Sequence, residues 1–515
     1  MNSTPVAFIA LARLVRTVLL LGVGAAMIGS LPSADADAWV KPPQPHVLVI
    51  LCDDLGYGDL GCYGHPHIQT PHLDRLAASG LLLTSCYSAA PVCSPSRVGL
   101  LTGRSPNRAG VYDWISPGVE GNSRADAREQ VHLRRAETTL PGLLQSAGYR
   151  TVLSGKWHCN SRFNDPAQPQ PGEAGFEHWF ATQNNAKPTH EDPVNFVRNG
   201  EPVGALEGYS CQLVVDEIVS WLDRKYFALP ADPAAKRPKR DPLFLYCAFH
   251  EPHEPVASPA PLVAQYRGVA RNEDEAEYFA NVANVDDAVG RLLRALDQRG
   301  ILDNTLVFFT SDNGPETLDR YRTANRSYGR PGPLRGMKLH THEAGSRVAG
   351  ILSWDGWIKP GQTSDLPVSS LDLLPTLAAL AGATIPPELL LDGGNFLSVL
   401  EDQPVERARP LFWFYYNAIN EARVAMRDGD WKCLARLDGG QFSKLQNLTP
   451  ITAAELRKAR LTDFEIYHLG DDPSETTDLA GEITPQTEYL KNRLRALHES
   501  VVEDAVVWKP VPAPK

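Results

Sequence analysis

His46-Val47-Leu48-Val49-Ile50-Leu51-Cys52-Asp53-Asp54 carries five aliphatic side chains in succession and then closes on two adjacent carboxylates. A strand with one wet face alternates apolar and polar residues, so an unbroken apolar run reads as a strand buried on both faces. Helices on both sides of a sheet provide that setting. The linker Lys41-Pro42-Pro43-Gln44-Pro45 precedes the run. Beyond it, Thr70-Pro71 opens a helix through Leu73, Leu76 and Ala77, with Thr70 as N-cap, Pro71 at the first helical position and Gly80 as the stop.

The same grammar recurs three times. A helix over Thr139 to Gly148 leads into a short strand, Tyr149 to Ser154, which stops at Gly155-Lys156-Trp157-His158. Pro242 to Phe249 is a strand that stops at His250-Glu251-Pro252-His253-Glu254-Pro255. A helix over Tyr278 to Arg299 precedes the strand Thr305 to Ser311, which stops at Asp312-Asn313-Gly314. Helices alternating with fully apolar strands predict an α/β fold with a large, mostly parallel sheet sandwiched by helices. Such sheets place their sites beyond the carboxyl ends of the strands. Four polar motifs stand at four such ends.

A helix over Asp372 to Leu380 ends this pattern, and past Pro386-Pro387 come short segments such as Phe412 to Tyr416 and Ala422 to Met426, with a turn at Asp428-Gly429-Asp430 and a helix over Thr487 to Val501. A smaller C-terminal domain of antiparallel sheet plus helix is expected. At 515 residues the chain has room for two cores. The expected division is 1–38 as a signal peptide, 44–385 as the catalytic domain and 386–515 as the C-terminal subdomain.

The signal reading rests on Arg13 and Arg16, the apolar run Val18 to Ile28 and the Ala-x-Ala sites at Ala34 to Ala38. That run is short of the ~20 residues that span a bilayer, and no later segment is long enough. An exported protein is expected, with no membrane span after cleavage, in a periplasm, the extracellular space or a lysosome-like lumen. Eight scattered cysteines are too few for a disulfide scaffold but leave room for one or two bridges. A formal charge of −11 argues against nucleic acid as a partner. Local cations can still govern a pocket for an anion, because exposed charges elsewhere are screened within about 10 Å.

Asp53-Asp54 and Asp312-Asn313 are two oxygen-bearing pairs at strand ends, the ligand chemistry that hard divalent cations need. Either pair alone reads equally as a solvated turn. Cys93, in Cys93-Ser94-Pro95-Ser96-Arg97, stands at a helix start beside free backbone N–H groups and Arg97. It is a thiolate nucleophile or a buried cysteine on that reading. Lys156 and His158, two apart, would face one side if the strand continued. His250 and His253 sit in a proline-stiffened turn, and Lys338 follows a glycine- and proline-rich loop.

Taken in order, these motifs resemble the formylglycine-dependent (type I) sulfatase family of the alkaline phosphatase superfamily. Cys93-x-Pro95-x-Arg97 is similar to that family's signature for oxidation of the cysteine to formylglycine. Asp53 to Asp59, Leu101-Thr102-Gly103-Arg104, Gly155 to His158, Pro252-His253-x-Pro255, Ser311 to Gly314, Arg335-Gly336-x-Lys338 and Glu465 to Leu469 extend the likeness over about residues 44 to 480. Within the family the pattern is similar to arylsulfatases and to enzymes acting on N-acetylgalactosamine-6-sulfate. The resemblance implies an alkaline-phosphatase-like fold and hydrolysis of sulfate esters, on a sugar or polysaccharide. It implies one calcium ion held by Asp53, Asp54, Asp312, Asn313 and the modified Cys93, with a formylglycine-generating enzyme as maturation partner. The hydrated aldehyde would attack sulfur through one hydroxyl and expel sulfate through the other. By the same resemblance Arg97 and Lys156 hold the diol, His158 is base, His253 is general acid with His250 its rival, and Lys338 pairs with sulfate oxygens.

The chain departs from the family pattern after Lys338. Small residues and an aromatic are usual there before Glu-Gly-Gly, whereas this chain reads Leu339-His340-Thr341-His342-Glu343-Ala344-Gly345. His340 and His342 either recognise substrate or pack beneath the loop. Substrate choice is expected from Asp113-Trp114-Ile115 and Ala181 to Asn185. A phosphate-ester hydrolase of the same superfamily would put Ser or Thr where Cys93 stands. A silent sulfated-glycan binder would show gaps among the site residues.

Overall fold

The computed structural model describes residues 44–117, 130–228, 240–317, 324–418, 421–440 and 449–508. The expected signal peptide, 1–38, lies outside the described residues. From Gln44 onward the described residues form one compact unit.

Its centre is a ten-stranded sheet. Five strands form the parallel middle, in the order Thr305–Ser311, His46–Asp53, Leu243–Pro252, Arg150–Lys156 and His178–Thr182. Leu48 lies in register with Leu245 on one side and Val307 on the other. Short strands flank this middle, and antiparallel pairs appear there, at Gly350–Ser353 and at Val197–Arg198. The sheet as a whole is therefore mixed, parallel where the motifs emerge.

Alternation along His46–Asp53 feeds two cores. Val47, Val49 and Leu51 pack with Leu100 and Leu101 of the helix Cys93–Thr102 and with Leu373 and Leu377 of the helix Leu373–Ala381. Leu48 and Ile50 pack on the other face with Val214 and Ile218 of Ser210–Trp221 and with Val282 and Val289 of Glu273–Gln298. Each such aliphatic side chain, fully buried, contributes about 1.5–3 kcal/mol relative to exposure. The unbroken apolar run is thus explained by helices on both faces.

Several elements run further than the apolar pattern suggests. The helix expected over Tyr278 to Arg299 starts at Glu273, because the Asn272 side chain accepts the Glu275 N–H and three acids in the first turn suit the helix dipole. The strand expected to stop at Phe249 continues to Pro252. Its polar end stays in the sheet because Glu251 is buried and accepts from Cys211 N at 2.9 Å.

The C-terminal part is a four-stranded antiparallel sheet, Leu411–Ala418, Glu421–Asp428, Trp431–Leu437 and Leu461–His468, with the helix Pro485–Asp504 against it. The side chain of Trp413 reaches out of this sheet and its Nε1–H donates to Ser88 O at 2.9 Å. All eight cysteines are free thiols. Among the described residues no helix is long and apolar enough to cross a membrane.

Candidate active site

The ends of two neighbouring parallel strands bring the oxygen pairs together. Asp312 N donates to Cys52 O at 3.0 Å, and Asn313 Nδ2 donates to Asp54 Oδ1 at 2.7 Å. Asp54 takes a left-handed φ of 62°, which turns the chain sharply as it leaves the strand. All four side chains are buried.

Three cations enclose this nest. Lys156 Nζ pairs with Asp53 Oδ2, Lys338 Nζ lies 2.6 Å from Asp54 Oδ2, and Arg97 grips Asp312 Oδ2 through Nη2 at 2.7 Å and Nε at 2.8 Å. Burial opposes ionisation of Asp53, yet Lys156, His253 and Arg97 hold its carboxyl well below the usual range. Burial and the neighbouring Asp53 charge push Asp312 up to about 7 against the pull of Arg97. Asp53 Oδ1 and Asn313 Oδ1 are buried with no hydrogen-bond partner. Buried oxygens left unpaired are costly. Two such atoms beside two further carboxylates fit a hard divalent cation, for which oxygen is the preferred donor. Asp53, Asp54 and His253 also offer atoms within 4.8 Å of one another.

Cys93 is the first residue of its helix, preceded by Val92 in extended conformation, and is 3% exposed. Burial pushes its thiol up to about 11, overcoming the pull of Lys156 and Lys338. A thiol so placed is protonated at neutral pH, a poor state for a thiolate nucleophile.

Lys156 ends its strand, but His158 does not extend it. His158 adopts φ 50°, so the expected same-side alternation gives way to a turn. The turn sends His158 Nε2 to within 2.9 Å of Ile115 O and leaves Nδ1 buried without a partner. Donation by Nε2–H fixes the tautomer and frees Nδ1 as an acceptor. Burial, Lys156 and Arg97 hold His158 well below the ordinary histidine value, which keeps it neutral. His253 has the reverse arrangement. Its Nδ1 donates to Glu254 O at 2.7 Å and lies 3.0 Å from Glu254 Oε2, while Nε2 is 3.5 Å from Asp54 Oδ2. The bond from Nδ1–H, with the Glu254 carboxylate close by, orients the ring so that Nε2 faces Asp54.

Cys93, His158, His253 and Lys338 line one cavity of about 440 Å³. Three larger cavities, of about 740, 870 and 720 Å³, contain none of the expected site residues. Arg97 and Lys156 are fully buried behind the cavity on the carboxylates, with Arg97 Nη1 donating to Lys156 O at 3.0 Å. His250 does not reach the cavity. It is 1% exposed, with Nε2 2.8 Å from Thr182 Oγ1. His340 and His342 also stay out of it. His342 is buried against Glu465 Oε2 at 3.2 Å, which is packing beneath the loop rather than display.

Both loops expected to govern substrate choice do line the cavity, through Trp114, Asn184 and Asn185. Leu339 and Tyr415 line it as well. Tyr415 was not foreseen, because it comes from the C-terminal sheet and no local pattern links it to Cys93.

Fold and site together fit a hydrolase of anionic esters, with buried acids, fixed cations and two differently held histidines around Cys93. A family model described as sulfatase matches residues 45–383, and the chain belongs to the sulfatase family, whose members are sulfuric ester hydrolases. It is 33% identical to N-acetylgalactosamine-6-sulfatase of Homo sapiens over 85% of this chain and 82% of that one. It is 34% identical to arylsulfatase A of Homo sapiens, covering 90% of each. Among solved structures it resembles Ps i-CgsB in complex with k-i-k-neocarrahexaose, with a TM-score of 0.72 and 26% identity over 88% of this chain and 92% of that one. It also resembles the PsFucS1 sulfatase from Pseudoalteromonas sp., with a TM-score of 0.66 and 25% identity over 90% and 91%.

Proposed function

We propose that the protein hydrolyses sulfate esters of carbohydrates through a formylglycine made from Cys93, beside one calcium ion held by Asp53, Asp54, Asp312, Asn313 and the modified residue 93. The observation that carries this reading is the pair of unpartnered buried oxygens, Asp53 Oδ1 and Asn313 Oδ1, beside a helix-start cysteine in Cys93-Ser94-Pro95-Ser96-Arg97. N-acetylgalactosamine-6-sulfatase among the relatives supports the carbohydrate part.

Calcium, when bound, supplies a Lewis acid that polarises the oxygens around sulfur. The oxidised and hydrated residue 93 supplies two hydroxyls, one to attack sulfur and one to release sulfate. Everything else falls to the chain's own groups. His158, neutral with Nδ1 free, accepts the proton that leaves the residue-93 hydroxyl. His253, backed by Glu254, donates a proton from Nε2 to the departing ester oxygen. Lys338 draws in sulfate oxygens from the cavity wall. Arg97 and Lys156 fix Asp312 and Asp53 from behind, and together they hold the Asp53 carboxyl ionised, so any hold on the diol comes second to that task.

Residues 1–38 serve as the signal that exports the protein, 44–385 form the catalytic domain and 386–515 the C-terminal subdomain. Export would meet the compartment in which sulfated glycans are found outside the cytoplasm, and N-terminal sequencing of the mature protein tests the cleavage. The reaction itself is tested by sulfate release from sulfated sugars and from 4-nitrophenyl sulfate, using protein made together with a formylglycine-generating enzyme. Sulfate release by wild type and none by Cys93→Ala is expected; equal release by both would contradict the proposal.

A further inference from the structure

The lining of the Cys93 cavity divides into two chemical kinds. Val92, Trp114, Leu339 and Tyr415 form an apolar and aromatic cluster around Cys93. That cluster is held in shape: Asp113 Oδ1 accepts from Trp114 N at 2.8 Å and from Tyr415 OH at 3.1 Å, and Leu339 N donates to Pro91 O at 2.8 Å. Leu339 does so at φ 72°, a left-handed conformation that a leucine adopts only against strain. Strained residues of this kind concentrate at ligand sites, and here the strain places a branched side chain in the cavity wall.

Asn184 and Asn185 make the other kind. Both line the cavity, and the Oδ1 atom of each is buried without a hydrogen-bond partner. Asn185 is not free to turn, because its Nδ2 donates to Glu254 O at 2.8 Å and so leaves Oδ1 as its unpaired atom. The loop itself is tied down: Thr182 Oγ1 donates to Asn184 O at 2.5 Å, Asn195 Nδ2 to Asn185 O at 2.9 Å, and His158 N to Gln183 O at 2.7 Å. Rigid acceptors left unpaired beside an aromatic wall call for a ligand that has one apolar face and O–H or N–H donors at its edge. A pyranose ring has both. An aryl or steroid ring offers the apolar face without the edge donors.

We propose that Asn184 and Asn185 are specificity-determining acceptors for the hydroxyl or amide N–H groups of a sulfated pyranose whose ring face packs on Trp114, Leu339 and Tyr415. The inference rests on the sulfatase reading above. A cavity of about 440 Å³ is at the small end of the range that encloses drug-sized ligands, about 300–1,000 Å³, and suits a single sulfated ring around the reacting centre.

The test uses matured full-length enzyme and two substrate classes, a panel of sulfated monosaccharides (galactose, N-acetylgalactosamine, N-acetylglucosamine and fucose sulfates) and 4-nitrophenyl sulfate. Sites that hydrogen-bond a substrate hydroxyl discriminate strongly against partners lacking it. Wild type is therefore expected to cleave at least one sugar sulfate with the higher kcat/KM. Asn184→Ala is expected to lower kcat/KM for that sugar at least ~10-fold more than for 4-nitrophenyl sulfate, mainly through KM. Asn185→Ala is expected to shift the ratio of the two substrate classes in the same direction. Parallel losses on both substrate classes, or a wild type that cleaves only the aryl ester, would overturn the assignment while leaving the sulfatase reading intact. A matured wild type inactive on both classes would defeat the sulfatase reading and this inference with it.

Discussion

Lys432 Nζ, in the third strand of the C-terminal sheet, lies 2.8 Å from Glu343 Oε1, and neither side chain has any solvent exposure. Glu343 belongs to the segment that carries Lys338 and Leu339. Its backbone N–H donates to Glu475 Oε2 at 2.7 Å, and its second carboxylate oxygen meets Arg347 Nη1 at 3.2 Å. Arg335, at the other end of the same segment, reaches Tyr467 OH at 2.8 Å. The C-terminal sheet therefore clamps the cavity wall from behind.

Breaking a buried pair by removing one partner leaves an uncompensated charge, at a cost of about 3–5 kcal/mol. Lys432→Met should show that loss in denaturant unfolding. It should also lower kcat/KM at least tenfold through a displaced Lys338, because small misplacements at a reacting centre are amplified. A stable variant with unchanged kinetics would show that the clamp does not position the site.

Removing divalent cations should silence the enzyme. Dialysis against EGTA is expected to abolish sulfate release and lower the thermal midpoint, and added calcium to restore both, since a ligand present at 100 times its Kd stabilises by about 2.7 kcal/mol. Full activity after exhaustive chelation would remove the metal from the account.

The two histidines of the His250-to-His253 turn should separate kinetically. A general acid contributes about 10²- to 10⁴-fold where the leaving group is basic. His253→Ala should lose that much on a sugar sulfate and far less on 4-nitrophenyl sulfate, whose leaving oxygen needs little protonation. His250→Ala should show no such dependence on leaving group, because His250 faces Thr182 rather than the cavity. Equal, small losses for both variants would take the acid role from His253.

Acid should weaken the fold in a defined window. Burial lowers His46 and His498 to about 4. The unfolded chain takes up those protons near pH 6.5, so the stability is present above that value and is lost as pH falls toward 4. His498, edge-on to Phe414 in the C-terminal core, should account for about 2 kcal/mol of loss by pH 5. His498→Leu should flatten the dependence of the urea midpoint between pH 7 and 5; an unaltered slope would show that other groups govern it.

Much of this architecture is legible from local pattern alone. Thr305–Ser311 was bounded to the residue by its apolar run, and Cys93 was placed at a helix start by the small residues before it and Pro95 after it. Patterns failed where a polar residue is satisfied by distant chain. Glu251 stays in its strand because the amide of Cys211 meets it, and the left-handed turn at His158 is tied to Ile115 and Gln183, contacts that no periodicity reports. Asp53, Asp54, Lys156, His158, His253, Asp312 and Asn313 were legible because each stands at or just beyond a strand end. Tyr415 and the Lys432 clamp were not, since each acts across more than 80 residues of sequence, from elements whose own patterns describe only a small sheet.

The central claim is that residue 93 works only after it has ceased to be cysteine. Mass spectrometry of the tryptic peptide 76–97, from enzyme whose specific activity has been measured on the same preparation, tests it most directly. A peptide ~18 Da lighter than its thiol form, in proportion to activity, is the predicted result of exchanging CH₂–SH for an aldehyde at the nucleophile. Fully active enzyme with an unmodified Cys93 thiol would contradict it.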